Sequence, residues 1–503
     1  MRFTTLSFLL FFAILYLAYW AASGRLRLHL ILIGSIIFYA AWSIPFALHF
    51  FGIVGLNYGF VRLMFRAKAK AGDGESPGQS GLAGKWMGLA IALNIANLFL
   101  FKYFYLFLTI LFDLTGSPIF QHKIFNEWLY ATTGNNAIIL PLAISFYTFQ
   151  LIAYVVDVHR GQIAEDTGPL KFFVFILFFP QLVAGPIMRH SDFFHQLNAI
   201  RPNEEYIRRG LYLLLTGLIK KVVIADNCIA PVQAVFAAPG EYDAVSNLAA
   251  IFGFAARVYC DFSGYTDVAR GLGYLLGLKL PENFRAPYMS DSARDLWQRW
   301  HITLATWLRD YIYIPMGGNR RGYWRSHLNL ITTFTLGGLW HGANYTYIVW
   351  GFMHGIALSV ERVYGDVRAK LNPESAASAA PEENPSGLRR MLAGLGRGTR
   401  MLIVFLIFCA GIIPFNSPDI YSAWEMTLQL FNFSGEGMRS KSNDFLLSML
   451  AVTMLFNYIQ FRREWRLPSP RTQYALLFVL GFITMALIGR FAPGGFDYIY
   501  FQF

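Results

Sequence analysis

The sequence predicts an all-α, polytopic membrane protein with about 11–13 membrane or re-entrant segments. Three observations carry that expectation. The 503 residues are 55% hydrophobic and 14% charged, whereas soluble domains carry about 25% charged residues. The apolar residues fall in long runs, and an aromatic content of 17% suits contact with lipid and headgroups. The formal charge of +12, from 42 basic and 30 acidic residues, gathers between the runs, where anionic lipid and the positive-inside bias account for it. Membrane lipids are therefore the expected partner of the basic stretches, and nucleic acid is not.

In chain order, spans are expected at Leu6–Trp20, Leu28–Phe46 and His49–Met64. The first is read as an uncleaved helix, because its run is long and further spans follow. Met87–Phe112 holds Lys102, which must snorkel, pair or face a cavity. Asn136–Val156 carries Pro141 and should kink or break there. In FFPQLVAGPIMRH, within Leu170–His190, Pro180, Gly185 and Pro186 interrupt a helix, an arrangement hydrocarbon tolerates where the backbone lines a cavity or is buried in protein. Tyr206–Asp226 lies in the interface or crosses at a tilt. Ala244–Leu278 includes Asp261 and Asp267, neither of which should be left without a partner.

Asn283–His327 has seven arginines between Arg285 and Arg325 and is too charged to cross lipid. Amphipathic helices on the cytoplasmic face are expected there. Leu328–Leu339 then reaches only about 18 Å against a hydrocarbon thickness of about 30 Å. His341 would therefore sit at a helix break inside the membrane, before Tyr345–Val360. The last spans are expected at Met401–Pro414, Phe445–Ile459 and Tyr474–Ile488. Residues 1–503 are read as one domain, with loops 65–85, 361–400 and 461–471 cytoplasmic from their basic flanks.

His341 is the first candidate for chemistry, since imidazole accepts and returns a proton near neutral pH and costs little to bury when neutral. A structural histidine hydrogen-bonded across helices, or one handling ions, fits the same spacing. His301, beside Trp300 in WQRWHIT, suits the mouth of a cavity that takes a phosphate-bearing donor or a sugar hydroxyl; an interfacial Trp/His pair is equally natural. Arg309, in WLRDYIYIP, pairs with a neighbouring carboxylate or meets donor phosphates. Cys228, Cys260 and Cys409 are far apart, and no HExxH or Cys/His ligand spacing occurs, so no metal is expected. No GxSxG elbow signals a serine acyl-enzyme.

Several long motifs in order add to this reading. DFSGYTDVARGLGYLLG, ENFRAPY, RWHITLATWLRDYIYIPMGGNR and GLWHGANYTYIVWG resemble the membrane-bound O-acyltransferase family, and within it the bacterial polysaccharide branch that O-acetylates alginate. SFYTFQLIAYVVDVHRG, FFPQLVAGPIMR and the ending GGFDYIYFQF extend the likeness nearly end to end. The resemblance implies a helical body around a central funnel or tunnel in the bacterial cytoplasmic (inner) membrane. It implies catalytic roles for His341, in LWHG, and His301, in RWHIT, with Arg309 and Trp300 lining the donor side. It further implies no tightly bound cofactor, an acyl thioester such as acetyl-CoA or acyl carrier protein as co-substrate, a periplasmic or membrane-anchored acetyltransferase partner, and an exported polysaccharide acceptor. D-alanyl or other acyl transfer to a wall polymer is the alternative within the family. A proton-coupled transporter is the alternative outside it, because membrane His and Asp also suit proton pathways.

Overall fold

A computed structural model of the protein describes residues 3, 5–71, 81–183, 185–371, 387–435, 437–462 and 470–491. Most of the Gly/Ser/Pro-rich loop after Ala71, the low-complexity stretch 372–386, the basic run 463–469 and the C-terminal motif lie outside the described residues. The elements are helices throughout, and among the described residues the β-type pairing is one isolated bridge, Tyr242 to Met438.

Among the described residues, five helices are long and apolar enough to cross a membrane: Ile44–Lys70, Gly81–Thr115, Leu395–Asn416, Asn443–Arg462 and Pro470–Phe491. Leu6–Ala21 is apolar and shorter. On Pro470–Phe491, Phe478, Phe482 and Met485 are each about three-quarters exposed. Large apolar side chains facing outward at that density need lipid as their solvent.

Helix ends follow local chemistry. The expected run Leu28–Phe46 is divided: one helix is Arg25–Ala40 and the next starts at Ile44. Pro45 is the reason, since it has no N–H to donate and is at home only in a first turn. Pro141 lies outside its helix, two residues before the Ala143 N-cap, and the helix after it begins at Ile144. The proline-rich segment breaks as expected into Pro169–Leu177 and Phe179–Leu182, with non-helical backbone over residues 185–189.

The chain falls into two compact units. One comprises Met1–Leu218, Tyr265–Pro281 and Leu477–Gly481. Its core is aromatic, with Phe50 stacked on Tyr147 at 4.4 Å between ring centroids, and its buried polar groups meet in pairs. Asn57 and Asn94 exchange amide hydrogen bonds of 3.3 and 2.7 Å. Lys102 sits in a π-helical turn, Phe99–Tyr103, and donates to the Ser145 hydroxyl at 3.2 Å. The wider turn lets a membrane lysine find an internal acceptor.

The other unit comprises Ile219–Gly264, Glu282–Leu476 and Phe482–Phe503. Here Lys221 lies 2.6 Å from both Asp226 and Asp261, all three buried, so the Asp261 carboxylate has its counter-ion. This unit also contains the helical hairpin Tyr323–His341 and Tyr345–Leu371. A Cβ on Gly338 would overlap the Tyr347 carbonyl, and one on Gly351 would overlap the Phe334 carbonyl. The hairpin is therefore held by backbone-to-backbone approach that only small residues permit.

Candidate active site

His341 is the last residue of the helix Tyr323–His341, and Gly342 leaves helical geometry immediately after it. The break expected from the sequence is there, but its stated reason is not. The helix starts at Tyr323, spans 19 residues and so is about 28 Å long. Hydropathy marks where apolar side chains begin, whereas the backbone starts its helix at the left-handed Gly322. The bend cannot take a larger residue at Gly342, because a Cβ would overlap the Tyr347 ring. His341 is thereby presented, 3% exposed, between Trp340, Trp350 and Phe415 at 5.0, 5.0 and 5.3 Å.

His301 reaches the same place from a different kind of backbone. It caps the short helix Ile302–Leu308 in the left-handed region, φ 44° and ψ 51°. A non-glycine residue held there costs about 1–3 kcal/mol and persists only where its surroundings over-determine it. The surroundings here are hydrogen bonds to Asn283: the Ile302 N–H donates to its carbonyl at 3.0 Å, and the Thr303 N–H and hydroxyl donate to its side-chain oxygen at 3.2 and 2.8 Å. The His301 ring stands edge-on to Phe262 at 4.6 Å and 6.4 Å from the His341 ring. Burial pushes its pKa down from the ordinary value to about 3, so it is neutral at physiological pH.

Both histidines line one cavity of about 1280 Å³. Around them the wall is Leu304, Leu308, Thr333 and Trp350. Elsewhere it carries five arginines, Arg294, Arg309, Arg362, Arg368 and Arg400, against three carboxylates, Asp291, Glu361 and Asp366. The carboxylates are already engaged at two points. Glu361 accepts from the backbone N–H groups of Ala293 and Arg294 at the start of the helix Ala293–Arg299, where a negative charge is favoured. Asp291 lies 3.7 and 3.5 Å from Arg397 and Arg400. Arg309 is held by its neighbour Asp310 through two hydrogen bonds of 2.6 and 3.1 Å and still lines the cavity with a largely exposed side chain. The two alternatives for Arg309, carboxylate pairing and an open cationic face, therefore coexist.

Trp300 is placed differently from the donor-side lining expected of it. It is 4% exposed and packs among Phe284, Tyr288 and Phe408 at 5.1, 6.1 and 4.9 Å. It backs the turn that carries His301 and is not part of the cavity wall. Sequence reasoning missed Asn283, Thr333 and Trp350. Asn283 had no local signal, since it lies 18 residues before its partner; Trp350 and Thr333 follow from helical periodicity once the hairpin is known. Among the described residues no group of histidine, cysteine and carboxylate side chains is gathered closely enough to hold a metal ion.

A histidine pair in a partly apolar chamber, with His301 held neutral by burial and a cationic flank beside it, suits proton transfer on a substrate that carries anionic groups away from the reacting atom. The comparisons with known proteins agree in kind. Residues 160–378 match the membrane-bound O-acyltransferase family, a stretch that includes both histidines. The chain is 35% identical over 461 residues to the probable alginate O-acetylase AlgI of Pseudomonas aeruginosa, covering 91% of this chain and 80% of that one. It is 37% identical over 375 residues to the peptidoglycan O-acetyltransferase of Helicobacter pylori, covering 68% and 66%. It is 29% identical over 233 residues to the teichoic acid D-alanyltransferase of Bacillus subtilis, covering 43% and 58%. With likeness at that identity running along nearly the whole chain, this multi-pass membrane protein belongs to the membrane-bound O-acyltransferase family and is an O-acyltransferase.

Proposed function

We propose that the enzyme resides in the bacterial inner membrane and O-acetylates an exported, alginate-like polysaccharide, drawing the acetyl group from a cytoplasmic thioester. The observation that carries the reading is the cavity itself, in which His301 and His341 share a chamber with five arginines. Acetyl-CoA and acyl carrier protein both carry phosphate at the far end of the pantetheine arm that bears the thioester, and arginine is the natural partner of phosphate. The relatives named above act on alginate, peptidoglycan and teichoic acid, which supports a polymer hydroxyl as the final acceptor.

In this mechanism the acceptor hydroxyl attacks the thioester carbonyl while His341 takes its proton. The carbon–sulfur bond then breaks, the new ester leaves with the acceptor, and the proton returns from His341 to the departing thiolate. His301, neutral and 6.4 Å away between ring centroids, orients the acceptor by taking a hydrogen bond. The acceptor is either the polysaccharide itself or a hydroxyl of a periplasmic or membrane-anchored acetyltransferase that completes delivery.

The test is polymer-bound acyl content in a deletion strain carrying wild type or His341→Ala, with membrane abundance checked by blot and the released acid identified by mass spectrometry. Acetate restored by wild type and absent with an abundant His341→Ala protein is the expected result. Full acylation by that variant removes His341 as the base. Restoration of D-alanine instead of acetate keeps the chemistry and replaces the acyl group, the reading favoured by the teichoic acid relative.

A further inference from the structure

Asn283 makes an unusual set of contacts for an amide. It is fully buried, and three donors converge on its Oδ1: the Thr303 N–H at 3.2 Å, the Thr303 hydroxyl at 2.8 Å and the His301 Nδ1 at 3.2 Å. A backbone N–H can only donate, so the atom facing Thr303 must be the oxygen. His301 Nδ1, pointing at the same oxygen, must then carry its proton. In a neutral imidazole the other nitrogen, Nε2, is left with the lone pair.

We infer that Asn283 is a positioning residue of the active site, holding His301 in the single orientation and tautomer in which Nε2 serves as a hydrogen-bond acceptor. This rests on the acyl-transfer reading above and deepens it. The same residue also secures the backbone, because the Ile302 N–H donates to the Asn283 carbonyl at 3.0 Å and closes the left-handed turn at His301. One residue thus fixes the strained turn through its main-chain carbonyl and the ring that the turn displays through its side chain.

The choice of amide over carboxylate has chemical content. An aspartate would accept from the same three donors and would need no partner for a second N–H. The asparagine leaves its buried Nδ2 without a hydrogen bond, a cost that a structural role alone gives no reason to bear. What the amide avoids is a negative charge beside the imidazole, which would favour the imidazolium and consume the lone pair. Rings packed on His301 include Phe262, Trp340 and His341, of which the His341 imidazole is the ionisable one. The Asn283 amide itself is uncharged. Burial of His301 acts in the same direction, towards the neutral form.

The experiment uses inverted membrane vesicles from the complemented strain, acetyl-CoA as probe, and rates of thioester consumption from pH 5.5 to 9 for wild type, Asn283→Asp, Asn283→Ala and His341→Ala. Asn283→Asp keeps the turn but sets a carboxylate against His301, which should raise the ring's pKa from about 3 by several units and bring a new acid limb into the measured range, with the alkaline plateau within about threefold of wild type. Asn283→Ala should lower the plateau about 10–100-fold at every pH, with KM for acetyl-CoA within about twofold. An abundant Asn283→Asp protein with the wild-type profile, or with a loss uniform across pH, overturns the inference. If that variant fails to accumulate, Asn283→Ala decides: an unchanged kcat overturns the inference, and a reduced kcat with unchanged KM supports it. An active His341→Ala removes the base of the mechanism on which this inference rests, and wild-type vesicles no faster than those of the deletion strain remove acetyl-CoA as the donor; either overturns the inference.

Discussion

The protein contains two helical hairpins that handle buried polarity in opposite ways. In Ile44–Ala71 and Gly81–Leu98 the polar groups are the fastening: Asn57 and Asn94 bond each other, and His49 bonds Asn97 at 2.9 Å. In Tyr323–His341 and Tyr345–Leu371 the fastening is glycine, with Gly338 and Gly351 letting backbones touch. Polar side chains of that second hairpin, His341 and Thr333, are instead available to the cavity wall. The difference teaches where to look for chemistry in a membrane protein. In the first hairpin polar side chains bond one another across the helices, whereas in the one packed through glycine polar side chains line a cavity.

The largest effect should come from removing a group that the second hairpin and its neighbours hold open. His301→Gln is expected to lower kcat about 10²–10⁴-fold, with membrane abundance unchanged on a blot; activity within about twofold of wild type would make the second histidine structural. The same variant has a signature in stability. A histidine kept neutral by burial loses ground to the unfolded chain as pH falls below about 6.5, because only the unfolded imidazole then gains a proton. The midpoint of thermal unfolding in detergent should therefore fall on acidification, and less steeply in His301→Gln.

Gly351→Val ranks next. It should destabilise the protein by about 3 kcal/mol and sharply reduce membrane abundance, since the new side chain meets the Phe334 carbonyl. A well-folded Gly351→Val protein would show that backbone contact does not hold the hairpin. Arg400→Ala should raise KM for the thioester about fivefold, the equivalent of about 1 kcal/mol for an exposed charge, with kcat nearly constant; an unchanged KM would remove that arginine from donor binding. The smallest effect belongs to the first hairpin. Asn94→Leu is expected to cost about 1 kcal/mol of stability and to leave kcat alone, and a loss of kcat would erase the contrast between the hairpins.

The sequence carried the class of fold well, because apolar runs, prolines and flanking charge each act locally. Pro45 sets a helix start, Pro141 lies outside the helix that follows it, and the interruption after Leu177 was visible in Pro180 and Gly185. The break at His341 was expected from the shortness of the apolar run before it, and it is there for another reason, the bend at Gly342. The length of the helix ending there was not legible, because Tyr323–His327 continues the backbone hydrogen bonding through residues that look like surface. His301 was legible as a residue and illegible as a geometry, since its left-handed φ is imposed from Asn283 across a gap in sequence. Trp300 misled for a related reason. In an alternating stretch of aromatic and charged residues, one position decides whether a ring meets the cavity or the core behind it.

The left-handed turn at His301 has a practical consequence for anyone engineering this enzyme. Glycine or asparagine would occupy that backbone conformation at lower cost, so a library selected only for heat resistance should drift away from histidine at position 301. Tougher variants of that kind would be expected to arrive catalytically impaired. If robustness and turnover pull apart at that position, the split would itself tie the candidate cavity to catalysis, with no substrate in hand.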